Sequence, residues 1–247
     1  MLKISNLSKS YGGVKAVHNC TCHFQEGMIT GLIGPNGAGK TTLYNLITGL
    51  EKPDQGRIYF DGIDITSWPT HKIARQGLAR SFQLLRLFKN LTIAENLLLA
   101  LNQTDENPLL NLFYRKQAEA GYYPRMQATI DRLGVKRTLK TKVSELSYGQ
   151  TKLIDIAIAL LKDFKLVMLD EPAAGVNPAI RQELKQVVRE LKKAGKTVVI
   201  IEHDMDFVMD LSDHVICMAE GTVLSEGRPK NVRNDKKVLE AYLGKGK

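Results

Sequence analysis

Short apolar runs and longer helical patterns alternate along most of this chain. Leu2 to Leu7 and Val17 to Phe24 read as strands, and Met28 to Ile33 as a fully buried strand running into a glycine-rich turn. Thr41 to Leu50 reads as a helix. Arg57 to Phe60 reads as a short strand closed by the turn Asp61-Gly62. Leu78 to Phe82 is a further strand. The middle third differs in character. Thr92 to Leu101 is a helix capped by Thr92 with Glu95 three residues on. Asn102 to Pro124 is polar and broken by Pro108, Gly121 and Pro124, which marks an insertion on a mainly helical lobe. Gln127 to Leu133 and Ser147 to Leu161 continue as helices. The strand–helix rhythm then resumes: strand Leu166 to Leu169, amphipathic helix Pro178 to Ala194 with Pro178 in its first turn, strand Thr197 to Glu202, and a helix near Met205 to Leu211. His214 to Ala219 and Thr222 to Ser225 form a hairpin around Glu220-Gly221. This order predicts an α/β fold with a largely parallel core sheet.

Composition narrows the class. With 247 residues, 43% hydrophobic and 25% charged, the chain can bury a substantial core without staples. No run approaches the roughly 18–20 apolar residues that span a bilayer, and the N-terminus has no long apolar segment, so neither a membrane crossing nor a secretory signal is expected. Cys20, Cys22 and Cys217 are odd in number and are read as reduced thiols, with Cys20 and Cys22 on one face of a strand. A net charge of +9 admits three kinds of partner: nucleic acid, an anionic lipid surface, or a polyanionic small molecule. The basic residues are scattered rather than clustered, so nucleic acid is not expected.

The strongest local pattern is Gly34-Pro35-Asn36-Gly37-Ala38-Gly39-Lys40-Thr41, which fits G-x-x-x-x-G-K-[ST] at every fixed position and lies between a strand and a helix. Glycines let successive N–H groups turn toward one anion, and the following helix aims its positive end at the same place. Lys40 would neutralise the outer phosphates of a nucleoside triphosphate, and Thr41 would ligate Mg²⁺. Leu166 to Leu169 runs into Asp170 and Glu171, at the carboxyl end of a parallel strand where ligand crevices open. There Asp170 would hold the metal and Glu171 would polarise an attacking water. His203 also follows an apolar strand; it is either structural or in contact with the terminal phosphate.

Together with Leu146-Ser147-Tyr148-Gly149-Gln150, these residues resemble the ATP-binding subunits of ABC transporters over nearly the whole chain. The pentapeptide is similar to the family signature, usually Leu-Ser-Gly-Gly-Gln. The resemblance implies a P-loop ATPase, α/β, with a mixed, largely parallel sheet, an N-terminal antiparallel β subdomain and an inserted helical lobe. The core would span about 1–82 and 164–247 and the lobe about 83–163. It implies ATP and Mg²⁺ as ligands, with the nucleotide held by Tyr11 on adenine and by Asn36, Gly37, Ala38, Gly39, Lys40, Thr41 and Thr42. Gln83 would sense Mg²⁺ and the γ-phosphate, joining Glu171 and His203 in catalysis and Thr41 and Asp170 at the metal. Ser147, Tyr148, Gly149 and Gln150 would act on the ATP of a partner subunit, and Asn177 would stand in the D-loop that joins the two sites.

Two departures stand out: Tyr148 for the usual glycine of the signature and Asn177 for the usual aspartate of the D-loop. Both resemble importers of branched-chain and other hydrophobic amino acids, and the related urea importers. Ala173-Ala174-Gly175-Val176-Asn177-Pro178 and the terminal Leu239-Glu240-Ala241-Tyr242-Leu243-Gly244 resemble the first ATPase subunit of that system. The implied partners are a second ATPase subunit (a different chain, or another copy of this one), membrane permease subunits docking near Gln83 and the apolar run Leu84 to Phe88, and indirectly a solute-binding protein. That apolar run could equally pack the lobe's own core. The implied location is the cytoplasmic face of the inner membrane. A soluble ABC-type ATPase acting on nucleic acid or ribosomes is the contrasting possibility; one ATPase unit and no sustained heptads weigh against it.

Overall fold

The computed structural model describes residues 1–81, 87–101 and 121–243 of the chain. These fall into two compact units. The first comprises Met1–Arg80, Phe164–Pro172 and Val188–Lys247; the second comprises Ser81–Asp163 and Ala173–Val187.

The first unit holds two sheets. One is antiparallel, in the order β2 (Val14–Phe24), β1 (Leu2–Tyr11), β4 (Gln55–Phe60), β5 (Ile63–Asp64). Along β2, Val17, Cys20, Cys22 and Phe24 are buried while the residues between and beside the two thiols are exposed, so both thiols do share the inward face. The other sheet has six strands, in the order β10 (Thr222–Gly227), β9 (His214–Ala219), β3 (Ile29–Ile33), β8 (Thr197–Ile201), β7 (Leu166–Asp170), β6 (Leu78–Arg80). All neighbouring pairs are parallel except β9 with β10. Every residue of β3, β7 and β8 is buried, as continuous apolar runs in a parallel sheet require. Helix α1 (Lys40–Ile47) contributes Leu43, Tyr44, Leu46 and Ile47 to a core shared with Leu32, Met168, Val199 and the inner face of the antiparallel sheet.

The sequence missed three short helices of this unit: α2 (Thr70–Arg75), α8 (Pro229–Arg233) and α9 (Lys236–Leu243). The first two bury one side chain each, Ile73 and Val232, too little to give a periodic apolar signal. Other differences are at ends. The strands β1, β2 and β4 run longer than expected, because ladder bonds reach Tyr11, Val14 and Gln55. The strand expected over Leu78 to Phe82 is described only to Arg80.

In the second unit, α3 (Ile93–Leu101) opens with the expected capping box: the Thr92 N–H donates to Glu95 at 2.7 Å and the Glu95 N–H to the Thr92 hydroxyl at 3.2 Å. A helix α4 is described over 121–132, so Gly121 and Pro124 do not break the chain there. Pro124 lies in the first described turn of that helix. A 3₁₀ turn at Val143–Glu145 leads into α5 (Tyr148–Leu161). Helix α6 (Pro178–Lys193) has residues in both units, and α7 (Met205–Leu211) belongs to the first.

Candidate nucleotide site

Three adjacent parallel strands end together. Leu32 of β3 pairs with Ile201 of β8, which pairs with Asp170 of β7. The next backbone bonds keep the rows aligned: the Glu202 N–H donates to the Leu32 carbonyl at 3.3 Å, and the Glu171 N–H to the Ile201 carbonyl at 2.8 Å. Gly34, His203 and Glu171 therefore leave neighbouring strands at the same edge. Strand spacing of about 4.8 Å puts β3 and β7 about 10 Å apart, the scale of a triphosphate with its metal.

The loop Gly34–Gly39 is shaped by sterics. Gly34, Gly37 and Gly39 take φ of 150°, 78° and 95°. A Cβ at Gly34 would collide with the Met218 carbonyl, and one at Gly39 with the Ala16 carbonyl. Ala16 belongs to the β1–β2 hairpin, and the Gly221 N–H donates to the Ala38 carbonyl at 3.1 Å, so β2 and the β9–β10 turn brace the loop from outside. Tyr11 closes the same hairpin opposite Val14. Its ring is 45% exposed, with the Lys9 ammonium 5.6 Å from its centre, and is available for stacking. Asn36, Gly37 and Thr41 are exposed, Thr42 is half-buried and Ala38 is buried.

The Lys40 ammonium donates to the carbonyls of Gly34 at 2.6 Å and Pro35 at 3.0 Å, curling over the loop. Burial draws its pKa below the ordinary lysine value, against the fields of Glu171, Cys217 and Asp170. Asp170 is buried. Glu171 sits at φ 45°, a left-handed conformation unusual for a residue with a Cβ and one that concentrates at functional positions. The His203 Nδ1 lies 3.6 Å from a Glu171 oxygen and 3.9 Å from the buried Glu202. The structure thus brings His203 to the carboxylate pair and not merely to a strand end. Tyr44, unnoticed in the sequence, ties α1 to β7 through its hydroxyl, which donates to the Met168 carbonyl at 3.3 Å. The one signal for it was an aromatic residue four positions after Lys40.

These groups suit a magnesium nucleotide. A glycine cradle and one ammonium face a buried carboxylate, and among the described residues no cluster of three acidic, histidine or cysteine side chains could hold a metal unaided. Mg²⁺ commonly binds in just this way, through one or two protein oxygens with phosphates and waters completing its shell.

In the second unit, Ser147 caps α5. Its hydroxyl accepts from the Gln150 N–H at 3.3 Å, while the Gln150 side chain accepts from the Ser147 N–H at 3.1 Å. Gly149 is buried, and Tyr148 is 59% exposed. A Cβ at Gly175 would meet the Tyr148 ring at 2.8 Å, so the bulky signature residue rests against a glycine of the D-loop. The Lys152 ammonium reaches the Ala174 carbonyl at 3.0 Å and ties the same two segments. Asn177 is the N-cap of α6: its side-chain oxygen accepts from the Ile180 N–H at 2.9 Å. The dipeptide Asn177-Pro178 carried that signal. Gln83, Leu84 and Leu85 lie outside the described residues. Phe88 is described: its ring is 61% exposed, and its backbone exchanges two hydrogen bonds with the Asn96 side chain, at 2.8 and 3.1 Å.

Residues 17–174 match the family model described as ABC transporter. The chain belongs to the ABC transporter ATP-binding family. As a member of that family it binds nucleotide and is an ATPase of the P-loop type. Residues 219–247 also match a model described as branched-chain amino acid ATP-binding cassette transporter. Among relatives, this ABC ATPase is 38% identical over 245 residues to a probable branched-chain amino acid transport ATP-binding protein LivG of Archaeoglobus fulgidus, covering 99% of this chain and 95% of the other. It is likewise 38% identical over 251 residues to the high-affinity protein LivG of Escherichia coli, covering 99% and 98%. A nucleotide-free ATP-binding cassette from an ABC transporter superposes with a TM-score of 0.87 at 38% identity, covering 99% of both chains. A dimeric cassette in a post-hydrolysis state bound to ADP and Pi gives 0.78 at 26%, covering 93% and 99%.

Proposed function

We propose that this ABC ATPase energises the import of branched-chain or other hydrophobic amino acids, hydrolysing MgATP at the edge where β3, β7 and β8 end. The observation that carries the solute class is the match of residues 219–247 to the branched-chain amino acid model, beside relatives of that description over nearly the full length.

In this reading the N–H groups of the Gly34–Gly39 loop and the positive end of α1 receive the β- and γ-phosphates. Incoming phosphate draws Lys40 off the Gly34 and Pro35 carbonyls. Thr41 and Asp170 would hold Mg²⁺, which would screen the charge of the terminal phosphates. Glu171 orients and deprotonates the attacking water, and His203, 3.6 Å from it, donates to the γ-phosphate or holds the carboxylate in place. Gln83 is assigned to the metal and γ-phosphate, and Tyr11 to the adenine ring. Ser147, Tyr148, Gly149 and Gln150 close over the ATP of a partner subunit, adding the N-terminal end of α5 to the phosphate charge. Asn177 links the paired sites.

ATP then bridges two subunits, and hydrolysis removes the bridge, so occupancy sets the balance of closed and open pairs. The two units form one ATPase domain, with the helical unit serving as the lobe. Its exposed Phe88, fixed by Asn96, supports docking of permease helices beside Gln83. Among the described residues no helix is long and apolar enough to cross a membrane, which is consistent with a peripheral subunit on the cytoplasmic face.

Membrane vesicles carrying this chain with its permease subunits and binding protein, loaded with MgATP, test the solute class. Labelled leucine should accumulate and labelled arginine should not, and Lys40→Ala should abolish uptake. Leucine uptake equal in the Lys40→Ala vesicles would contradict the proposal.

A further inference from the structure

Tyr148 opens α5 where the family signature usually has glycine, and most of its ring surface is exposed. One side of the ring is nevertheless taken up by the D-loop. A Cβ placed on Gly175 would stand 2.8 Å from the ring's Cε1, 3.3 Å from Cδ1 and 3.9 Å from Cζ. The ring therefore lies over the bare Cα of Gly175, and it meets the D-loop through ring carbons. The same stretch of α5 meets the residues on either side. A Cβ on Gly149 would be 3.6 Å from the side chains of both Val176 and Ile180, an ordinary van der Waals distance. The ammonium of the buried Lys152 donates to the Ala174 carbonyl at 3.0 Å. Asn177 then caps α6 through the Ile180 N–H at 2.9 Å. All of these residues belong to the second unit.

Residue 175 meets two demands at once. Its φ of 73° is left-handed, which glycine adopts at little cost, and its missing Cβ leaves room for the ring. A ring laid on the backbone excludes water from both and adds dispersion contact along its length. With the Lys152 bond beside it, the D-loop has little room to shift against the start of α5. Tyrosine at 148 and glycine at 175 thus read as one paired feature of this chain.

We propose that Tyr148 is a positioning residue for ATP turnover: its ring, seated on Gly175, locks the signature turn and the D-loop of one chain together, holding Ser147 in fixed register with the segment that follows Glu171. This rests on the reading in which the signature closes over a partner subunit's ATP. Tyr148 serves that closure by holding the turn, not by bonding to phosphate. Its ring carbons do this, so the hydroxyl is dispensable.

The test is a double-mutant cycle on MgATP turnover, with the full chain assembled with its permease subunits in vesicles. Calorimetry on the full chain gives ATP affinity, and urea midpoints check folding. Tyr148→Ala should lower kcat by about 3- to 10-fold while KM and ATP affinity stay within about twofold. Tyr148→Phe should restore about half or more of the wild-type kcat. Gly175→Ala adds a methyl that displaces the ring, so its kcat should fall by a similar factor. The double variant should fall no further than Tyr148→Ala alone, whereas independent residues would give about 10- to 100-fold. The strain of alanine at positive φ lowers the urea midpoint in both backgrounds, so it cannot imitate that result. Losses that multiply in the double variant overturn the proposal. So does wild-type turnover in Tyr148→Ala, or a Tyr148→Phe as poor as Tyr148→Ala. Ser147→Ala separates the underlying reading: if its turnover equals wild type, the signature does not act on a partner's ATP. If Ser147→Ala is impaired and Tyr148→Ala is not, the positioning role alone is wrong.

Discussion

Lys40 is the residue on which charge and geometry converge. It is half-buried, bonded to two loop carbonyls and lowered in pKa by that burial. Only the protonated amine attracts phosphate. Because its folded pKa is lowered, the proton is lost at a lower pH than from an ordinary lysine. Bound polyphosphate stabilises the charge and raises the pKa again, so binding takes up protons in that window. ATP affinity should therefore fall as pH rises through the lowered value, and Lys40→Ala should abolish the dependence. Titrations at alkaline pH in two buffers of different ionisation enthalpy read the proton uptake directly; affinity that stays flat up to the ordinary lysine range contradicts it. At this scale the sequence was legible where chemistry follows from neighbours along the chain. Gly34, Gly39 and Lys40 form one short pattern, and Asp170 stands at the end of one apolar run. The left-handed backbone of Glu171 was not legible, because nothing about a glutamate announces positive φ.

Elements were legible in proportion to the apolar surface they bury. The strands β3, β7 and β8 are buried throughout and stood out, whereas α2 has a single buried residue and did not. Caps were read unevenly: the Thr92–Glu95 box was anticipated, while the cap by Asn177 was hidden behind its resemblance to a D-loop residue. This cap separates structural from coupling effects. Asn177→Ala should lower the stability to urea by about 1 kcal/mol through loss of the bond to the Ile180 N–H. Asn177→Asp keeps an acceptor and adds negative charge at a helix N-terminus, so it should be neutral or slightly stabilising. Equal midpoints for wild type and Asn177→Ala would remove the cap from the account. If ATPase coupling changes in Asn177→Asp at unchanged stability, the residue serves the partner site as well.

For the whole molecule, the parallel order of β9, β3, β8 and β7 matters more than any single contact, because it delivers loop, histidine and carboxylates to one edge. The alternation of strands and helices made a parallel sheet legible, but neither the order of strands nor their register follows from that alternation. Ligand bound at that edge should stabilise the fold. At MgATP about 100-fold above Kd the gain is about 2.7 kcal/mol, roughly 5–10 °C in Tm for a chain of this size. Lys40→Ala should show almost no shift at the same concentration, as read by differential scanning fluorimetry. The most direct test of the central claim is the turnover of Glu171→Gln under conditions where its ATP affinity is measured in parallel. Affinity within about threefold of wild type with kcat reduced by about 100-fold or more is expected, because the substitution keeps shape and removes the base. Equal turnover in the two proteins would contradict the account.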